Sequence, residues 1–198
     1  MTQTTLAILA GGEGSRMGRP KAELRIGDRP ILSYLLDRFR WDGTTILVTA
    51  PGRQRPPGAE GFDREVTDPV PREGPLRGVV TALEATETPI LVVGSCDMPM
   101  IGSPQLTWLI EKLLAHPESP FVMPMRDGWK MEMLPFAIRK TSLPQLQDHL
   151  IAGQRSLHSL LRIEGARAAA IPDTWDESIW MNLNAPRDFE QFLRLLSS

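Results

Sequence analysis

Short apolar runs and longer apolar stripes alternate along this chain. Leu6-Ala7-Ile8-Leu9-Ala10 is an unbroken apolar run that ends in glycines. A run of this length predicts a strand buried on both faces, although its periodicity alone would also fit a buried helical turn. From Pro30 the positions Leu32, Leu35, Leu36 and Phe39 recur at helical spacing. Ile46-Leu47-Val48 predicts a second strand, and a short one follows around Arg64 to Thr67. Pro75 then opens a helix with Leu76, Val79, Val80 and Leu83 on one face, and Ile90 to Val93 is the clearest buried strand. Ser103-Pro104 predicts a helix start, with a hydroxyl cap before proline. Leu106, Leu109, Ile110, Leu113 and Leu114 form that helix's stripe.

Phe121 to Met123 and Leu134 to Ile138 predict further strands. Ser142-Leu143-Pro144 starts a helix through about Ile151, and Ser156 is placed to cap a short one. The last helix starts near Pro186, with Phe189, Phe192, Leu193 and Leu196 inward. Residues 50–61 are rich in Pro and Gly and predict a loop. Strands alternating with helices predict a three-layer α/β/α sandwich around a mostly parallel, twisted sheet, a Rossmann-like arrangement. The 198 residues suit one domain spanning 1–198, with roughly 70% of the unfolded surface buried.

Net charge is −2 and pI about 6.0, which argues against general binding to nucleic acid or to an acidic membrane. A single cysteine, Cys96, excludes an intrachain disulfide and points to a reducing compartment. The opening MTQTTLAILAGG has no basic region, and its apolar run is too short for a signal peptide, so the expected location is the cytoplasm.

In open α/β sheets ligands bind beyond the carboxyl ends of the strands. Three segments leave predicted strands there with unusual polar content. The first is L9-A-G-G-E-G-S-R-M-G-R-P-K21. Its glycines free backbone N–H groups to face phosphate oxygens, and Arg16 and Lys21 add charged donors. Neither the Walker A spacing nor the Rossmann fingerprint is present, since Met17 stands where the third glycine would fall. A tight strand-to-helix turn with solvated basic residues has the same composition. The second is C96-D-M-P99, which puts Asp97 at a strand end, well placed for Mg²⁺. The bland alternative is an aspartate that stabilises its turn. The third is Asp68 with G74-P-L-R-G78, where Gly74-Pro75 begins a helix whose N-terminal N–H groups would face an anion.

These segments together resemble the MobA-like nucleotidyltransferases, the molybdenum cofactor guanylyltransferase family. The first motif matches from Leu9 to Lys21, with Gly14-Ser15-Arg16-Met17-Gly18 in register. Asp68 to Gly78, Cys96 to Pro99, Gly153 to Leu157 and N182-L-N-A-P-R-D-F189 follow in the family's order. The resemblance implies Mg²⁺-dependent transfer of GMP from GTP to the phosphate of molybdopterin. It implies that Leu9, Ala10, Gly11 and Gly12 contact the nucleotide, largely through backbone. Lys21 and Arg16 would act on the triphosphate, Thr49 and Asp68 would help hold the nucleotide, and Asp97 would bind Mg²⁺. Asn182 and Asn184 would line the acceptor side. Apo-molybdoenzymes or other cofactor-assembly proteins are the candidate protein partners. Gly11-Gly12 favours the guanylyl branch, since related cytidylyltransferases read Leu-Ala-Ala-Gly there. Glu132-Met133 replaces the family's usual His-Pro, and Ala185 its usual Thr, both on the inferred acceptor side.

Two rival readings stay open: a CTP- or sugar-phosphate-specific transferase of the same fold, and a GTP-binding module without turnover. Cys96 has no base beside it and reads as a packing residue. His116, His149 and His158 have no metal-ligand spacing. Of the five tryptophans, Trp129 beside Arg126 and Lys130 is the best candidate platform for a ring, with packing the commoner role.

Overall fold

A computed structural model describes residues 3–12, 14 and 16–197. Glu13 and Ser15 of the glycine-rich motif therefore lie outside the described residues. In chain order the elements are β1 (Thr4–Leu9), β2 (Arg25–Ile26), β3 (Arg29–Pro30), α1 (Ile31–Phe39), β4 (Thr44–Thr49) and β5 (Arg64–Thr67). Then come α2 (Pro75–Ala85), β6 (Ile90–Ser95), α3 (Ser103–Leu114), β7 (Phe121–Arg126) and β8 (Lys130–Met131). The chain closes with β9 (Phe136–Arg139), α4 (Leu143–Ile151), β10 (Arg167–Ala170) and α5 (Pro186–Ser197).

The expected sandwich is present. The main sheet runs β10-β7-β9-β6-β1-β4-β5, with β8 paired to β7. Strand side chains alternate between two cores. Leu6, Ile8, Leu47, Ile90 and Val92 point to one face, where Ile31, Leu35, Leu106, Leu109 and Phe192 of α1, α3 and α5 cover them. Ala7, Ile46, Val48, Leu91 and Val93 point to the other, under Leu76, Val80 and Leu83 of α2 and Leu146 of α4. Strands covered on both faces must be apolar at successive positions, which is why β1, β4 and β6 lack polar alternation. Each such side chain taken fully out of water contributes about 1.5–3 kcal/mol.

Three local expectations are corrected. The cap of α3 is Gly102, not Ser103: the backbone at Gly102 is extended, and Gln105 Oε1 reaches back to accept its N–H at 3.0 Å. Leu114 and Leu196, placed inward by periodicity, are 44% and 40% exposed. Both sit near helix ends, where the stripe has run past the edge of the core. The strand foreseen at 134–138 begins two residues later, at Phe136.

The pairing pattern fixes where a ligand can sit. β6, β1, β4 and β5 are mutually parallel, so their carboxyl ends share one rim. After β1 the chain moves to β4 on one side, whereas β6 lies on the other, which makes the β1/β6 gap the switch point. β9 runs antiparallel between β6 and β7, so the segment before Phe136 arrives at that same rim. β7 and β10, parallel to each other, also end there. No helix among the described residues is long and apolar enough to cross a membrane.

Candidate functional site

The glycine-rich turn leaves β1 at Leu9 and is tied across the switch point, where Cys96 N–H donates to Leu9 O at 3.3 Å. Gly14 is held at φ +59°, and a Cβ there would lie 2.0 Å from the Arg19 carbonyl oxygen. Glycine is thus required at Gly14 on two counts, conformation and space. The turn delivers the chain to Pro20 and a short 3₁₀ helix, Lys21–Glu23.

Lys21 Nζ donates to Asp97 Oδ2 at 2.7 Å and to Asn184 Oδ1 at 2.8 Å. These residues lie 76 and 163 positions from Lys21 in sequence. The side chains of Lys21 and Asp97 are 17% and 19% exposed, open enough to meet a ligand yet shielded enough for their charges to matter. The partners are themselves positioned. Leu183 N–H donates to the Asp97 carbonyl at 2.8 Å. Asp188, in the first turn of α5, accepts the N–H groups of Asn184 and Ala185 at 2.9 and 2.8 Å. A carboxylate at the start of a helix that satisfies upstream N–H groups is a capping arrangement, and here it fixes the aim of Asn184. Asn182 is anchored by Nδ2 donating to Trp180 O at 3.1 Å.

Beside this cluster lies a cleft of about 960 Å³ along the carboxyl rim. That volume is at the upper end for small-molecule sites and exceeds what a nucleotide alone needs. Leu9, Gly11, Gly12, Asp68, Asp97 and Asn182 all line it. Gly78 forms part of its floor, where an added Cβ would sit 3.2 Å from Leu9 Cδ2 and 3.8 Å from Asp68 Oδ2. A glycine there lets α2 close on the strand ends and leaves Asp68 accessible from the cleft side.

Asp68 extends the β4–β5 ladder, with its N–H donating to Thr49 O at 2.9 Å. Its Oδ1 is buried without a partner among the described residues. Burial pushes the Asp68 carboxyl above its usual range; a hydrogen bond from Thr81 and the charge of Arg77 pull the other way, and Glu73 adds to the rise. An orphaned buried acceptor is costly unless something donates to it, and a ligand is the natural donor.

The remaining predicted residues fall as follows. Ala10 adjoins the cleft in sequence, but its N–H is spent on Val48 O at 2.8 Å. Thr49 is buried, its hydroxyl 3.1 Å from that of Thr67, and it is not among the residues lining the cleft. Arg16 is exposed on the turn that leads to Lys21. The expected anion site at the start of α2 is corrected: Pro75 has no N–H, Leu76 N–H donates to Arg155 O, and Arg77 N–H to Gly74 O. The first turn is thus spent on docking Arg155 and on closing the helix itself. Trp129 is 77% exposed on the turn after β7 and does not line the cleft. Cys96 is buried, and desolvation, aided by the Asp97 charge, pushes its thiol up to about 12.

Sequence reasoning missed several cleft residues. Arg53 and Arg72 line it from the loops after β4 and β5, where the strand-end rule would have found them. Glu132, which the resemblance had put on the acceptor side, does line it, and its Oε1 accepts from Arg126 Nε at 2.6 Å, both side chains being about nine-tenths buried. The antiparallel pairing of β8 with β7 brings that residue to the rim, where its N–H donates to Pro124 O at 2.9 Å.

Asp97 also defines what cation the site suits. No group of three or more His, Cys, Asp or Glu side chains clusters among the described residues, so a protein-enclosed metal has no donor set there. A single carboxylate facing a large open cleft fits a hard divalent ion that completes its shell with water and phosphate oxygens.

Residues 6–170 match the MobA-like NTP transferase domain family. The chain is 30% identical over 189 residues to a molybdenum cofactor guanylyltransferase from Yersinia pseudotuberculosis, covering 93% of this chain and 92% of that one. It is 28% identical to a probable molybdenum cofactor guanylyltransferase from Carboxydothermus hydrogenoformans, covering 100% and 98%. Among solved structures, molybdopterin-guanine dinucleotide biosynthesis protein A from Archaeoglobus fulgidus superposes with a TM-score of 0.80 at 20% identity, over 98% of each chain.

Proposed function

Because the chain belongs to the MobA-like NTP transferase domain family, and so is a nucleotidyltransferase, we propose that it moves GMP from GTP onto the phosphate of molybdopterin. The products are pyrophosphate and the guanine dinucleotide form of the cofactor. On this reading residues 1–198 act as one catalytic domain in the cytoplasm, and apo-molybdoenzymes or cofactor-assembly proteins receive the product. The observation that carries the reading is the junction of Lys21 with Asp97 and Asn184 at the edge of a glycine-lined cleft. The names of the relatives favour the guanylyl and molybdopterin assignments.

An oxygen of the acceptor phosphate attacks the α-phosphorus of GTP. The new O–P bond forms as the bond to the bridging oxygen breaks, and pyrophosphate leaves with that electron pair. The acceptor oxygen is already anionic, so the step needs no base and no covalent enzyme intermediate. The protein's contribution is positioning and charge neutralisation. Lys21 has three N–H donors, and two are held by Asp97 and Asn184. The third has no partner among the described residues and would meet a triphosphate oxygen, with its direction set in advance. Arg16 adds charge from the turn above. Gly11 and Gly12 admit the phosphates close to the backbone. Leu9 and Asp68 border the part of the cleft assigned to the nucleoside. Mg²⁺ bound through Asp97 would neutralise phosphate charge, and Asp97 is the carboxylate that fits it.

Pyrophosphate release from Mg-GTP, measured with and without molybdopterin, tests the proposal. Release that requires both substrates is expected. Equal release with CTP, or with a sugar phosphate replacing molybdopterin, assigns a different transferase. Tight Mg-GTP binding without release under any acceptor overturns catalysis.

A further inference from the structure

A second cavity, of about 430 Å³, opens on the same rim beyond the ends of β7 and β10. Trp175 and Trp180 form one wall, their ring centroids 6.2 Å apart. Asp127, Asp173 and Glu177 ring its mouth, and none of the three has a cationic partner among the described residues. Arg126 lines the cavity on the side of Glu132, to which it bonds at 2.6 Å. Glu132 lines the main cleft, so the two spaces adjoin at this ion pair. Trp180 also connects them: its carbonyl anchors Asn182 of the main cleft, while its own indole Nε1 is buried without a partner.

We propose that the second cavity binds the ring of the acceptor, a flat heterocycle with an N–H-rich edge such as a 2-amino-4-oxopyrimidine. This rests on the transferase reading above and says where the end of the acceptor remote from its phosphate is held. Charge sets the direction. Three carboxylates repel a phosphate, so the phosphate stays beside Lys21 and the uncharged end enters the acidic pocket. Adjacent N–H groups on one ring edge match the two oxygens of a carboxylate, as a bidentate pair. The tryptophan wall supplies a flat apolar surface. The Trp180 N–H offers a donor that a ring carbonyl would satisfy.

The test uses two variants of the full chain, Asp173→Asn/Glu177→Gln and Trp175→Leu. Initial rates are measured with molybdopterin varied at saturating Mg-GTP, and the reverse. Binding of free pterin, which has no phosphate, is measured by calorimetry. Losing a charge-assisted hydrogen bond or the stacking face raises the KM for the acceptor about tenfold or more, with the KM for GTP unchanged. Free pterin binds the wild type and binds each variant more weakly. An acceptor KM within about twofold of wild type in both variants overturns the proposal. A wild type that binds pterin, loses it in the variants, yet releases no pyrophosphate would refute the transferase reading while upholding the cavity assignment.

Discussion

Lys21 and Asp97 are in direct contact, so their contributions to turnover should not multiply. The structure puts Nζ 2.7 Å from Oδ2. At an effective dielectric near 20, two unit charges at that separation attract by about 6 kcal/mol before desolvation is subtracted. Desolvation offsets most of this, and the coupling left between contacting groups is about 1–3 kcal/mol. Removing one preorganised donor aimed at developing charge costs a factor of about 10²–10³. Lys21→Ala and Asp97→Ala should therefore each lower kcat at least about 100-fold. Independent groups would give a double variant slowed at least about 10⁴-fold. Coupled as observed, the double variant should be slowed only about 10²–10³-fold, because the second deletion removes a group already misplaced by the first. Pyrophosphate release at saturating Mg-GTP and acceptor reads all four corners of the cycle. A wild-type rate in either single variant refutes the assignment of that residue. Strict multiplication of the two effects refutes the claim that they act as one unit.

Asp68→Asn should trade function for stability. The carboxyl is raised by burial, so its neutral form is the one the fold prefers. The stability this contributes is complete below the ordinary carboxyl range and is lost as pH rises through the raised value. The variant should gain in Tm over wild type at pH 7 and not at pH 4, with weaker GTP binding; an equal Tm difference at both pH values would contradict the burial argument. Gly14→Ala should cost about 1–3 kcal/mol from the left-handed backbone alone, and more from the contact with the Arg19 carbonyl. Gly12→Ala, with open space at its Cβ, should leave Tm nearly unchanged. Matching melts for the two glycine variants would dismiss the steric account. Cys96, buried with its thiol pushed up to about 12, should resist alkylation at pH 8 in the folded protein, and Cys96→Ala should keep wild-type turnover. Rapid stoichiometric labelling detected by mass spectrometry would disprove this.

Much of the architecture was legible in the order of residues, because burial leaves a periodic trace. β1, β4, β6, α1 and α2 stand where apolar runs and stripes put them. Local backbone demands were legible as well: Gly14, Gly18 and Gly74 all take positive φ, a conformation that glycine adopts without steric cost. What periodicity cannot carry is pairing between distant segments. β10, Arg167–Ala170, was missed since an edge strand of arginine and alanine with one buried residue leaves no apolar signal. The antiparallel pairing of β8 with β7 was equally invisible, yet it delivers Glu132 to the cleft. Packing also decided that the Leu76 and Arg77 N–H groups serve the chain itself and not an anion. Motif order suggested that Lys21, Asp97 and Asn184 belong together. Their meeting at 2.7 and 2.8 Å is a product of tertiary structure, because side-chain contact depends on the summed geometry of every strand and helix between them.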